Sequence, residues 1–215
     1  MGSIKLPHAT GSGSMSIGSP SDDPSGDLEL KLPATVGTAD QALTNSAVAG
    51  TLAFKTLPFS EFDEWSLTAN KTSNGYLTNF ERVSDRWPGA ATKIGTGMTV
   101  ASDTWSFPST GKWLVILSAN FDIHDSDNCV VQTEVTTDNS SYGIYGMAVD
   151  GQNDSSGGTK IGAATAFSFI DVTNTTNVKV KFYANSLGTN SEVRGTTNAN
   201  DGMQTHFTFI RIGDT

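Results

Sequence analysis

From about residue 89 onward, apolar side chains recur at every second position in short runs, and the runs stop at clusters of Asp, Asn, Ser and Gly. Successive side chains of a strand point to opposite sides, so a period of two marks strands with one face toward a core. In 112–121, Trp113, Val115, Leu117, Ala119 and Phe121 share one face, and Leu114 and Ile116 occupy the other. That run predicts a central strand, apolar on both sides at its start. Val178, Val180 and Phe182 alternate with Lys179, Lys181 and Tyr183, a strand with one wet face. Segments 129–135, 142–149 and 166–172 read as strands too, the last placing Phe167 and Phe169 on one face; in 205–212, Phe207 and Phe209 oppose Ile210 and Ile212. The separators at 125–128, 138–141, 151–158, 174–177 and 188–191 are turn formers. Many short strands at this spacing, with no amphipathic helix among them, predict an all-β sandwich or jelly roll over residues 89–215.

Residues 1–57 follow a different pattern. Ile4, Leu6, Met15 and Ile17 lie in short strand-like pieces separated by Gly and Ser. Leu28, Leu30 and Leu32 alternate with polar residues until Pro33 stops the run; 39–43 reads as one helical turn and 52–54 as a short strand. The segment has too few large apolar residues for a core of its own, while ordering a backbone costs about 1–2 kcal/mol per residue. We therefore expect an extended anchoring segment held by neighbouring chains, with Leu28, Leu30, Leu32, Leu43 and Phe54 as its assembly contacts. Residues 58–88 read as a connector. Their aromatic and acidic start, 58–65, suits a helical turn or a docking loop, and Phe80 and Trp87 are expected to seal one end of the sandwich.

Charge narrows the partners. The formal net charge is −9, and Lys71, Arg82, Arg86 and Lys93 are scattered among acidic residues. Phosphate binding needs clustered cations, so nucleic acid is excluded as a partner, and docking on an anionic membrane is disfavoured. No run of 18 apolar residues predicts a membrane-inserted segment. Residues 1–5 lead into Gly and Ser without an apolar stretch, so no secretory signal peptide is expected. Cys129 is the only cysteine, which rules out an intrachain disulfide; it sits among valines and reads as a small core residue. A chain without disulfides fits assembly in a reducing cytoplasm.

The chemistry-bearing residues are sparse. His8, His124 and His206 are the only histidines, and no HExxH, Cys-x-x-Cys or Gly-x-Ser-x-Gly pattern occurs, so no catalytic, zinc or cofactor-binding residues are assigned and the chain reads as non-catalytic. Asp122, Asp125 and Asp127 are the best metal candidates: three carboxylates on one loop can hold Ca²⁺ with backbone carbonyls. They lack the Gly and terminal Glu of an EF-hand, and a solvated turn is the competing reading. Trp113 is expected in the core, Trp105 in the core or an interface, and Trp87 is a candidate for stacking on sugar.

Residues 105–115 form an aromatic–Pro–x–x–Gly–x–aromatic pattern that resembles the paired strands of C1q/TNF-like jelly rolls. Residues 207–212 resemble the closing strand of that family, and 169–172 with 178–182 its penultimate pair. The likeness covers roughly residues 80–215 and lacks the family's early strand motif, which leaves the first strands unassigned. In the leader, 3–6, 28–33 and 37–43 resemble the N-terminal segments of structural proteins of tailed phages that infect marine cyanobacteria. Together the resemblances imply a virion protein made in the host cytoplasm: a homotrimeric short fibre, spike or decoration protein, joined to other virion proteins by its N-terminal segment. Its outward loops at 122–128, 138–142, 150–159 and 186–202, with Asp125, Asn139, Asn153 and Asn190, would then face a host surface glycan. A secreted C1q-like or lectin-like carbohydrate-binding protein is the alternative, and a polysaccharide-cleaving enzyme a third reading.

Overall fold

The computed structural model describes residues 31–38, 41–48, 50–56, 59–153, 156–198 and 202–215, with the backbone of Ile4–Pro7 and Ser14–Ile17. The chain divides into two units, Met1–Lys55 and Thr56–Thr215.

In the first unit, β1 (Ile4–Pro7) pairs antiparallel with β2 (Ser14–Ile17). Strand β3 (Gln41–Asn45) pairs with β4 (Leu52–Thr56), and Lys31 bridges Thr51 in parallel. The helical turn expected at 39–43 is thus corrected: its described part, from Gln41, is a strand. An isolated helical turn makes one hydrogen bond for several fixed residues, whereas a strand pair forms a ladder. Gly50, at φ 75°, supplies the left-handed residue just before β4. Gly37 lies so close to the Phe54 ring that a Cβ there would clash. Even so, Leu32 and Val36 are 72% and 90% exposed. A two-stranded pair is marginal in water by itself.

The second unit contains β5 (Phe62–Leu67), β6 (Gly75–Tyr76), β7 (Phe80–Arg82) and the short helix α1 (Val83–Arg86). After them come β8 (Thr99–Ala101), β9 (Thr104–Ser106), β10 (Gly111–His124), β11 (Asn128–Thr136) and β12 (Tyr142–Gly151). The last are β13 (Thr159–Val172), β14 (Lys179–Asn185), β15 (Glu192–Val193) and β16 (His206–Gly213). Among the described residues these strands form two sheets. The first has the order β13-β10-β16-β5-β7 with β15 beside β10; the second has the order β12-β11-β14-β9-β8 with β6 beside β14. The expected all-β sandwich is what the chain forms, and β10 is the expected central strand, paired with β13 along its whole length and with β16 over 112–118.

Residues 59–88 are not a connector. Strand β5 lies inside the first sheet, between β16 and β7, and β6 extends the second sheet beside β14. The 58–65 stretch reads poorly as a strand because Asp63 and Glu64 interrupt its apolar residues. It is a strand because β16, far along the chain, offers it a ladder from Phe62↔Ile210 to Ser66↔His206. This also supplies the early strands that the resemblance left unassigned.

The core fills the space between the sheets. Trp105 is fully buried and contacts Trp65, Phe80, Phe182, Phe207 and Phe209; its ring meets Trp65 edge-on, with centroids 5.1 Å apart. Trp113 is buried as expected, its Nε1 donating to Ser109 O at 3.2 Å, and Cys129 is a buried core residue. Among the described residues no helix is long and apolar enough to cross a membrane.

Candidate assembly surface

The register of the first sheet builds its outer face in rows. Phe169, Leu114 and Ile210 form one row on β13, β10 and β16, continued by Phe62 on β5. Phe167, Ile116, Thr208 and Glu64 form the next. Below them, Lys112 and Asp171 pair at 3.2 Å, both exposed. Beyond Phe167 the face turns polar: Thr165, Ser118 and His206 share a row, and Asn120 Nδ2 donates to Gln204 Oε1 at 3.3 Å. One end of this face is therefore an apolar band. Phe167 and Phe169 are 60% and 69% exposed, unusual for phenylalanines mid-strand, and Ile212 is exposed beside them. Phe169 and Ile212 line a shallow cavity of about 160 Å³ with Lys112 and Asp171.

Small inward residues explain why β13 turns Phe167 and Phe169 outward. Its inward positions include Gly162, Ala166 and Ser168. Strand β12 passes close by: a Cβ on Gly146 would clash with Ser168 Oγ, and one on Gly162 with the Asp150 carboxylate. Asp150 ties the two edge strands together, accepting from Lys160 Nζ at 2.7 Å and from the Ala163 N–H at 3.2 Å. The Lys160 ammonium holds the Asp150 carboxyl below its usual range. Across this edge, on the outer face of the second sheet, Ile144, Met147 and Val149 of β12 are exposed beside Glu134, Gln132 and Val130, with Tyr145 between them, so apolar residues flank the β12/β13 edge on both sheets; Ile161 of β13 is exposed farther along, beyond the polar row.

Apart from the exposed apolar residues of β12, the outer face of the second sheet carries a self-matched polar cluster. Lys181 Nζ lies 4.5 Å and 4.9 Å from the Tyr76 and Tyr142 ring centroids and 3.4 Å from Asp103. Tyr76 donates to Glu134 Oε2 at 3.1 Å, and burial, then the Glu134 contact, pushes its phenol up to about 12. The cations and rings of this cluster are matched among themselves.

The loops expected to face a receptor fall at both ends of the sandwich. Asp125 N–H donates to Gly158 O, Gln152 N–H to Asp127 O, and Gly188 N–H to Asp127 Oδ2 at 2.7 Å. Residues 124–128, 151–153, 156–158 and 186–191 thus gather into one apex, which carries the exposed Asp125, Asn153 and Asn190. Asn139 is exposed too, but its N–H donates to Asn177 O in the turn after β13, at the opposite end. The chain also enters β5 at that opposite end, where Phe59 N–H meets Arg211 O. Asp125, Asn139 and Asn190 adopt φ of 54°, 60° and 68°, which accounts for polar turn residues there without any ligand.

Asp122, Asp125 and Asp127 do not converge. Asp122 faces Arg194 at 3.7 Å, Asp125 pairs with His124 Nδ1 at 2.9 Å, and Asp127 accepts from the Asn128 and Gly188 amides. Each carboxylate is engaged locally, and among the described residues no group of three or more His, Cys, Asp or Glu is arranged to hold a metal. Ser191 Oγ accepts from the His124 backbone N–H at 3.0 Å, a contact to the main chain and not a nucleophile-to-imidazole relay. Trp87 borders a second cavity, described below. Of the assembly contacts expected in the leader, Leu32 and Leu43 are exposed, Phe54 packs against Gly37, and Leu28 and Leu30 lie outside the described residues.

No family model matches the sequence, and no curated protein does either. Among solved structures, the chain is similar to an Eiger TNF from S. frugiperda at 9% identity, TM-score 0.55, covering 74% of this chain and 96% of that one. It is similar also to murine APRIL at pH 5.0, at 8% identity and TM-score 0.50, covering 71% of this chain and 98% of that one. At such identities the likeness is one of fold: the sandwich is a TNF-like jelly roll.

Proposed function

We propose that the chain is a non-catalytic assembly protein of a virus particle: a homotrimeric spike, short fibre or decoration protein. Its N-terminal unit is the anchor toward other virion proteins, and the apex loops of its jelly roll point to a host surface glycan. The observation that carries the assembly part is the set of exposed apolar residues on both sides of the β12/β13 edge. At about 150–250 Å² per large side chain, half exposed, the named residues present on the order of 600 Å² of apolar surface. Distributed over the two sheet faces that meet at the β12/β13 edge, this total approaches the ~800 Å² each partner contributes to a standard interface. The exposed Leu32, Val36 and Leu43 support a similar role for the first unit. The virion setting rests on the leader's resemblance, and the trimer on the likeness to C1q/TNF-like jelly rolls together with the band.

Light scattering on the full chain tests the assembly: the expected mass is three times the 22.6 kDa of one chain, and a monomer at micromolar concentration sinks the reading. Mass spectrometry of purified particles tests the setting, and absence from them favours the second reading, a secreted C1q-like or lectin-like protein. The fold shared with APRIL and an Eiger TNF supports that alternative. A glycan array with the full chain checks the apex, where loss of binding on Asn153→Ala or Asn190→Ala is expected, and no loss on Asn139→Ala.

A further inference from the structure

Tyr145 is the extra residue of a β-bulge. On β12, Gly146 pairs with Thr133 and Ile144 with Glu134, so Tyr145 has no partner across the ladder. A bulge at a sheet edge re-aims a side chain out of the regular alternation. Strand β12 is such an edge, and Tyr145 is 52% exposed there. The other side of the sandwich, beyond β5 and β7, holds an apolar hollow. A cavity of about 390 Å³ is lined by Glu64, Val83, Trp87, Ala90, Ala91 and Met203. Arg86 braces its indole wall, lying 5.3 Å from the Trp87 centroid while pairing with Glu81 at 3.2 Å. Among the described lining residues Glu64 is the one charged group, in an otherwise apolar hollow. Glu64 stands in the same row as Thr208, Ile116 and Phe167, so the cavity is continuous with the apolar band.

We infer that this cavity is the socket for Tyr145 of a second copy of the chain, its ring filling the apolar lining and its hydroxyl donating to the Glu64 carboxylate. The inference rests on the homotrimer proposed above and names its contact. Knob and socket lie on opposite sides of one sandwich, so a chain cannot fill its own socket. A contact between two different patches is heterologous, and repeating it closes a ring when the rotation allows. Tyrosine suits the hollow because it combines a large apolar body with a polar tip. An occupant without a donor would bury the Glu64 carboxylate with only its long contact from Thr208 Oγ1, at 3.4 Å, and lose the charge-assisted hydrogen bond. The same knob explains why β12 carries a bulge at this position rather than a regular alternation.

The test uses the full chain as an Ala90→Cys/Tyr145→Cys double variant, with each single variant beside it, under mild oxidation. A disulfide ladder that ends at the covalent trimer is expected for the double variant and none for the single ones. A trimer by light scattering that forms no ladder overturns the socket and leaves the homotrimer standing. A monomer overturns both, and a ladder running past three overturns the closed ring. In the unlinked protein, Tyr145→Phe weakens self-association about tenfold, and Tyr145→Ala by more. An unchanged association constant for Tyr145→Ala also overturns the inference.

Discussion

Arg82 forks onto Asp63: Nε lies 2.8 Å from one carboxylate oxygen and Nη2 3.0 Å from the other, with Asp63 almost wholly buried. The same carboxylate accepts from the Met98 N–H at 2.8 Å, and the guanidinium covers the Trp65 ring at 4.4 Å. This pair ties β5, β7 and the approach to β8 into the sheet that the rest of the band is built on.

Removing one partner should therefore cost far more than a surface ion pair. Asp63→Ala leaves the partly buried Arg82 guanidinium with only Met98 O and the Trp65 ring as partners, and the buried Met98 amide unmatched, and is expected to lose about 3 kcal/mol of stability. Urea unfolding of the variant checks this; a loss within the ~1 kcal/mol of an exposed pair would falsify it.

The exposed aromatics of β13 should behave in the opposite way. Phe167→Asp and Phe169→Asp place charge on an open face, so each is expected to keep the far-UV spectrum of a folded sandwich and to dissociate the oligomer. Surface changes of this kind usually move monomer stability by no more than ~0.5 kcal/mol. Sedimentation and circular dichroism on the same samples separate the two effects; loss of the β spectrum would mean these rings belong to the core.

Cys129 should be inert while the fold lasts. Burial pushes its thiol up to about 11, and the neighbouring Asp127 carboxylate adds to the shift. The thiolate is the nucleophile, so iodoacetamide at pH 8 is expected to label the native chain only after denaturant is added. Rapid native labelling would show that the β11 end is open.

Tyr76 gives a pH signature. Its phenol is favoured neutral in the fold, with a pKa raised from 10 to about 12. A group raised in this way contributes stability that is fully present below pH 10 and is lost as pH climbs toward 12. Titration of tyrosinate absorbance should show one of the four tyrosines ionising last, near pH 12, and Tyr76→Phe should remove that step. Four equivalent transitions near pH 10 in folded protein would contradict it.

The residue pattern by itself determined the strands β10 to β14 and β16, the central place of β10 and the burial of Trp113 and Cys129, because a period of two survives any choice of partners; the two-residue β15 lies in the stretch 186–202 that reads as a loop. It could not tell which face of β13 is the core. Phe167 and Phe169 share a face by alternation alone, but that face looks outward because β12 passes close at Gly146, beside the small inward residues Ala166 and Ser168. Large residues alternating with Gly, Ala and Ser in one strand were the available signal. Strand β5 was illegible for a related reason: Asp63 looks like a surface residue until Arg82 and the Met98 amide meet it. The apex, which unites Asp125, Asn153 and Asn190 and sends Asn139 to the far end, depends on strand directions that no local pattern carries. The sequence by itself determined that a sandwich forms. Which side chains remain outside for another copy of the chain was decided by tertiary structure, since burial is set by contacts between strands distant in sequence.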